Sequence, residues 1–265
     1  MALNSCFRAL PLLSALVALL SASPLSVNAA PRRTAALSEG GPEGFQELGF
    51  YDVRHGGGRW LTYAAHNGTL GEPMNIVVSN KSHPYILTEA GFQDWCLSIQ
   101  YAKQFLDITL GGKQQADLGD GNGPHNQTNL LRYDYFDLKL GTLNETLMGG
   151  SHLRYWQQNG PKANSSAWFL AASVEKSLAE HHMIVPNGYD RGRDEFVGNA
   201  TASNGTVSPV SHIRFSATSR KHRFLRAHSR HGINHAIPTD GDVAIVTVKV
   251  IGNEKGKGGL ASKRT

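Results

Sequence analysis

Two periods of hydrophobic spacing run along this chain, and the changes from one to the other mark its elements. Asn75 to Ser79 is a short β-branched run bounded by Pro73 and by Asn80-Lys81-Ser82, which predicts a buried strand. After Thr88, the residues Phe92, Trp95, Cys96, Ile99, Ala102, Phe105 and Leu106 recur three and four apart. That spacing predicts an amphipathic helix over about residues 89–106, capped by Thr88, with Glu89 in its first turn and Trp95 in the core. Strand-like segments follow at residues 152–157, 167–174, 181–185, 212–216 and 242–251, the last almost wholly β-branched. Between them, the stretch from Tyr189 to Val197 opens a helix with Asp190 as its cap. This order predicts an α+β fold: a mostly antiparallel sheet with one long and one or two short helices packed on one face.

The two ends of the chain have a different character. An apolar run from Ala9 to Leu20, preceded by Arg8 and followed by Val27-Asn28-Ala29, reads as a signal peptide over residues 1–29. Residues 30–46, rich in Ala, Gly, Pro and Ser, read as a flexible leader in which Arg32-Arg33 offers a trimming site. The folded domain is expected over residues 47–252, and residues 253–265 as a disordered basic tail. No later stretch is long and apolar enough for a membrane helix, so the expectation is a soluble secreted protein.

Composition sharpens that expectation. Only Cys6 and Cys96 are present, and Cys6 departs with the signal segment, so no intramolecular disulfide is expected and Cys96 is read as a core residue. Asn67, Asn80, Asn126, Asn144, Asn164, Asn199 and Asn204 all begin N-x-[ST] sequons. Seven of the 14 asparagines after residue 29 sit in such a motif, a surplus that points to a glycoprotein with these positions on surface loops. The net charge of +5 gathers in Arg220 to Arg223, Arg226 to Arg230 and the tail. No aromatic residues interleave with these charges, so specific nucleic-acid binding is not expected.

Three clusters carry candidate chemistry. In Asp117-Leu-Gly-Asp120-Gly-Asn122-Gly123, oxygen-bearing side chains alternate with glycines, a composition that suits calcium as well as it suits an Asx turn. In His152-Leu-Arg154-Tyr-Trp156, strand alternation puts an imidazole, a guanidinium and an indole on one face, where they could hold an anionic or carbohydrate ligand. The third cluster runs from Glu175 through His181-His182 to Arg193 and Asp194. It offers His182 with Asp194 as a base and its orienter, and Arg193 to neutralise charge, or else a structural ion pair around Arg193. His231 and His235 add two imidazoles before the last strand. The chain has no G-x-S-x-G, no H-E-x-x-H, no P-loop and no dinucleotide fingerprint.

Taken in order, His152-Leu-Arg154-Tyr-Trp156, Trp168 to Ser173, His181-His182-Met-Ile and Asp190 to Asp194 resemble the core pattern of the LssY-like C-terminal domain family. The stretch is also similar to secreted fungal proteins of unknown function that carry the same G-D-G-N-G and Gln-Asn-Gly segments. The resemblance implies a domain but no settled activity. Ala171 stands where the bacterial pattern begins with Gly, and Val174 to Lys176 departs from its polar run.

Three functions follow as expectations. The first is a secreted glycoprotein that binds an anionic or carbohydrate ligand on its His/Arg/Trp strand face. The second is a secreted hydrolase of phosphate-ester type, with His152 or His182 as base, Asp194 orienting it and Arg154 or Arg193 holding charge. The third is a calcium-stabilised module built on Asp117, Asp120 and Asn122. Convergence of His152, Arg154, His182 and Arg193 in one cleft would favour the hydrolase.

Overall fold

In the computed structural model the strands are β1 (Ile76–Val78), β2 (Tyr101–Lys103), β3 (Gln115–Ala116), β4 (His125–Asn126), β5 (Asn129–Tyr133), β6 (Gly150–Asn159), β7 (Asn164–Glu175), β8 (Thr206–Val207), β9 (Ile213–Arg223) and β10 (Asp242–Asn253). Eight of them form one sheet in the order β2-β5-β6-β7-β1-β10-β9-β8, and β3 pairs with β4 separately. Every pairing in the large sheet is antiparallel except β1 with β10. Among the described residues, three α-helices of eight or more residues complete the α+β fold: α1 (Glu89–Ser98), α2 (Gly141–Met148) and α3 (Gly188–Ala200). The structure describes residues 47–64, 68–107 and 112–253. The expected signal segment, the whole of the leader, Asn67 and nearly all of the tail lie outside them. No helix among the described residues is long and apolar enough to cross a membrane.

Side-chain alternation splits the core into two layers. Ile76, Val78, Leu153, Tyr155, Trp168, Leu170 and Val246 face α1 and α3, where they pack on Phe92, Trp95, Cys96 and Phe196. Val77, Trp156, Phe169, Ala171 and Ile245 face the other way, onto Phe50, Val53, Trp60, Met74 and Leu118 from irregular segments. Burial of one such large side chain stabilises the fold by about 1.5–3 kcal/mol. Both faces of the central strands are therefore dry, which is why β7 and β10 read as nearly continuous apolar runs.

Two predicted elements are corrected. The helix over 89–106 stops at Ser98, although Thr88 caps it as expected by accepting a hydrogen bond from the Gly91 N–H. Gln100 then turns with φ 71°, and Tyr101–Lys103 pairs with β5 as the edge strand. The apolar side chains of Ile99, Tyr101 and Ala102 fit either period, so tertiary pairing decided between them. The strand at residues 181–185 is also absent. After β7 a 3₁₀ turn, Leu178–Glu180, leads into His181 and His182 at φ 57° and 53°, and only the Glu175–Ile184 bridge is sheet-like. The helices are not confined to one face either, because α2 brings Glu145 to Arg132 on the side opposite α1.

Candidate functional site

A charged cleft of about 220 Å³ opens where β5, β6 and β7 run out on the face away from α1. Register builds it. Arg132 lies opposite His152, His152 opposite Ser173, and Arg154 one alternation further along β6. Glu175 follows Ser173 by two residues on β7 and so points to the same side. Glu72 arrives from a loop because Gly71 can approach the backbone of Thr62: a Cβ there would sit 1.9 Å from the Thr62 carbonyl oxygen. His182 is brought in by the left-handed turn after β7, and His181, His235 and Ile184 complete the lining.

Arg132 is the hub. Its Nη1 donates to Glu145 Oε2 at 2.6 Å and to Glu175 Oε1 at 2.5 Å, and Gln104 lies against its Nε. His152 Nε2 is 3.3 Å from Ser173 Oγ, while its Nδ1 is 3.5 Å from Glu175 Oε2. Arg154 donates through Nη1 to Gln127 Oε1, and its Nε stands 4.0 Å from Glu72 Oε2. His182 Nδ1 is 2.9 Å from Glu175 Oε1, but the ring is not aligned for a hydrogen bond.

Burial governs the ionisation of these groups. It pushes the Glu145 carboxyl up to about 8, against the pull of Arg132, and Glu175 adds to the rise. It takes the His152 imidazole down to about 4, although Glu175 opposes this. Arg154 is likewise held below its ordinary value by burial. Burial also acts to raise the Glu175 carboxyl, but the facing imidazole of His152, the Arg132 guanidinium that donates to it, and His182 outweigh burial and hold it below the usual range. His152 is therefore neutral near pH 7 and Glu175 is ionised.

The cleft is set apart by its unpaired polar atoms. Nine buried side-chain nitrogens and oxygens among the described residues have no hydrogen-bond partner. Five of them line the cleft, namely Glu72 Oε2, His152 Nδ1, Arg154 Nε and both ring nitrogens of His182, and a sixth, Glu145 Oε1, belongs to the side chain grouped with His152 and Glu175 beside it. Buried polar atoms are otherwise almost always paired, so such a concentration sets this place apart from the rest of the interior.

The residues expected from sequence divide accordingly. His152, Arg154 and His182 converge. Trp156 shares their face but is core, and its indole N–H donates to the His125 carbonyl. Arg193 and Asp194 do not join them: Arg193 is spent on Asp194, on Asp240 and on the Asp242 carbonyl, while Asp194 also pairs with Lys221. His182 meets Glu175 in place of Asp194, because the turn after β7 folds it back onto its own strand.

In the Asp117–Gly123 loop, Asp120 is fully buried and accepts N–H groups from Asn122, Asn159 and Gly160, while Asp117 accepts from Gly119. The Asn122 N–H on Asp120 Oδ1 closes an Asx turn, and the Asn122 side-chain amide donates to Asp120 Oδ2 as well. The six described sequon asparagines are all solvent-accessible, but only Asn80 and Asn204 lie in turns. Asn126 and Asn164 are on strands, and Asn144 and Asn199 on helices.

Sequence reasoning missed Glu72, Arg132 and Glu145. A charged residue inside Leu130-Leu131-Arg132-Tyr133 was a signal for the second of these, since a cation in an apolar strand needs a buried partner. Nothing local marks the other two. Fold and cleft together define an α+β domain with a buried, mixed-charge cleft. No family model, no curated protein and no solved structure matches the chain.

Proposed function

We propose that this chain is a secreted N-glycoprotein whose cleft binds one small hydroxyl-rich ligand, a single sugar unit or a compound of that size. The observation that carries the reading is the gathering of five unpaired buried polar atoms around one cavity. They offer both donors and acceptors. A ligand hydroxyl can accept from the Arg154 Nε–H and donate to Glu72 Oε2, a two-way contact that an anion without an O–H cannot make. Glu72 and Glu175 face Arg132 and Arg154 in the lining, so the cleft has no surplus positive charge to favour an anion over a neutral polyol. The volume admits one ring and excludes an oligosaccharide from the interior. The leader pattern and the accessible sequons support the extracellular setting.

Isothermal titration of the secreted protein against neutral hexoses, hexuronates, hexose phosphates and inorganic phosphate tests the reading. Saturable binding of a neutral or acidic sugar that is lost in Arg154→Gln supports it. Binding of phosphate alone would replace it with an anion site, and no binding by any sugar would overturn it.

A further inference from the structure

We propose that the floor of the cleft is a binding site for one divalent first-row transition-metal ion, held by Glu145, His152 and Glu175. One donor atom from each of the three lies within 4.8 Å of the others, and all three residues are buried. A cluster of acids alone would mean little, but here two donors are unpaired. Glu145 Oε1 and His152 Nδ1, in side chains 0% and 3% exposed, have no hydrogen-bond partner.

Arg132 does not block this arrangement. It holds Glu145 Oε2 and Glu175 Oε1, fixing both carboxylates from behind as outer partners fix ligating groups in metal sites. Once Glu145 gives up its proton on binding the metal, as a ligating carboxyl must, three carboxylates face two guanidiniums and offset part of the ion's charge. Two carboxylates with one imidazole suit zinc, manganese or cobalt, whereas calcium needs six or more oxygens. His181 and His182 line the way in from the surface. None of this depends on the sugar reading, since these donors lie at the base of the cleft and the sugar contacts above use Arg154 and Glu72.

The test uses the full secreted chain, stripped with a chelator and then titrated with Zn²⁺, Co²⁺, Mn²⁺ and Ca²⁺ without any sugar. One equivalent of Zn²⁺ or Co²⁺ is expected to bind, with a visible Co²⁺ absorption band and a raised melting temperature. Ca²⁺ is expected to leave both unchanged. Glu145→Gln and His152→Gln, which keep the cleft filled, should each weaken Zn²⁺ by more than the roughly 10–100-fold that loss of an outer partner costs. Exposed His231→Ala should change nothing.

Should the two cleft variants fail to fold, Mn²⁺ added to the parent locates the site. Its paramagnetism should broaden amide signals of residues 150–154 and 173–175 and spare residues 117–123. Absence of binding in the parent would overturn the proposal. So would unchanged affinity in both cleft variants, or Mn²⁺ broadening centred elsewhere. A parent that binds metal but no sugar would leave this inference standing and remove only the function proposed above.

Discussion

Replacing Arg132 with Met should be among the most costly single changes in this protein. The guanidinium is 4% exposed and faces two carboxylates that are 0% and 6% exposed. Met fills much of the volume but leaves Glu145 and Glu175 buried without their cation. Removing one partner of a buried ion pair costs about 3–5 kcal/mol, chiefly as the desolvation of the charge left behind. With a urea slope of ~2 kcal/mol/M, the unfolding midpoint should fall by about 2 M. The assay is equilibrium urea unfolding by tryptophan fluorescence, in a chelator so that no cation substitutes for the arginine. The same substitution on a Glu145→Gln, Glu175→Gln background should cost at most about half as much, because amides tolerate the loss of the donor better than carboxylates do. If Arg132→Met costs the same in both backgrounds, the penalty is one of packing and the electrostatic account of the cleft is wrong.

Three other changes test the rest of the account. Asp120→Ala should destabilise by at least about 2 kcal/mol, since the N–H groups of Asn122, Asn159 and Gly160 lose their acceptor; calorimetry with and without calcium would expose a metal role for that loop. The Asp194 and Asp240 carboxyls feel burial, which raises them, but Arg193 holds both below the usual carboxylate range. Their contribution is therefore complete above the ordinary carboxylate pKa and lost as pH falls through the lowered values. Urea midpoints between pH 6 and pH 2 should fall less steeply in Asp240→Asn than in the parent. Gly192→Ala should cost about 1–3 kcal/mol, because its Cβ would sit 2.5 Å from the Ser173 backbone and push α3 off the sheet; a chemical melt reads this directly.

What the sequence determined by itself was local. Thr88 and Glu89 start α1, Trp95 and Cys96 point into the core, and the β-branched run from Val243 makes β10, because short-range propensity and burial agree at each of these places. Alternation along β6 likewise put His152 and Arg154 on one face before any partner was known. Tertiary structure decided where pairing across the sheet was needed. It ended α1 at Ser98 so that Tyr101–Lys103 could complete the edge beside β5. It turned His181 and His182 out of a strand and set His182 against Glu175, and it drew Arg193 away to Asp240. It also gathered Glu72, Arg132 and Glu145 from three separate stretches around His152, by register and by the close approach that Gly71 allows. A single strand fixes which way a side chain points, but only the neighbouring strands and the loops that cross them fix what it meets.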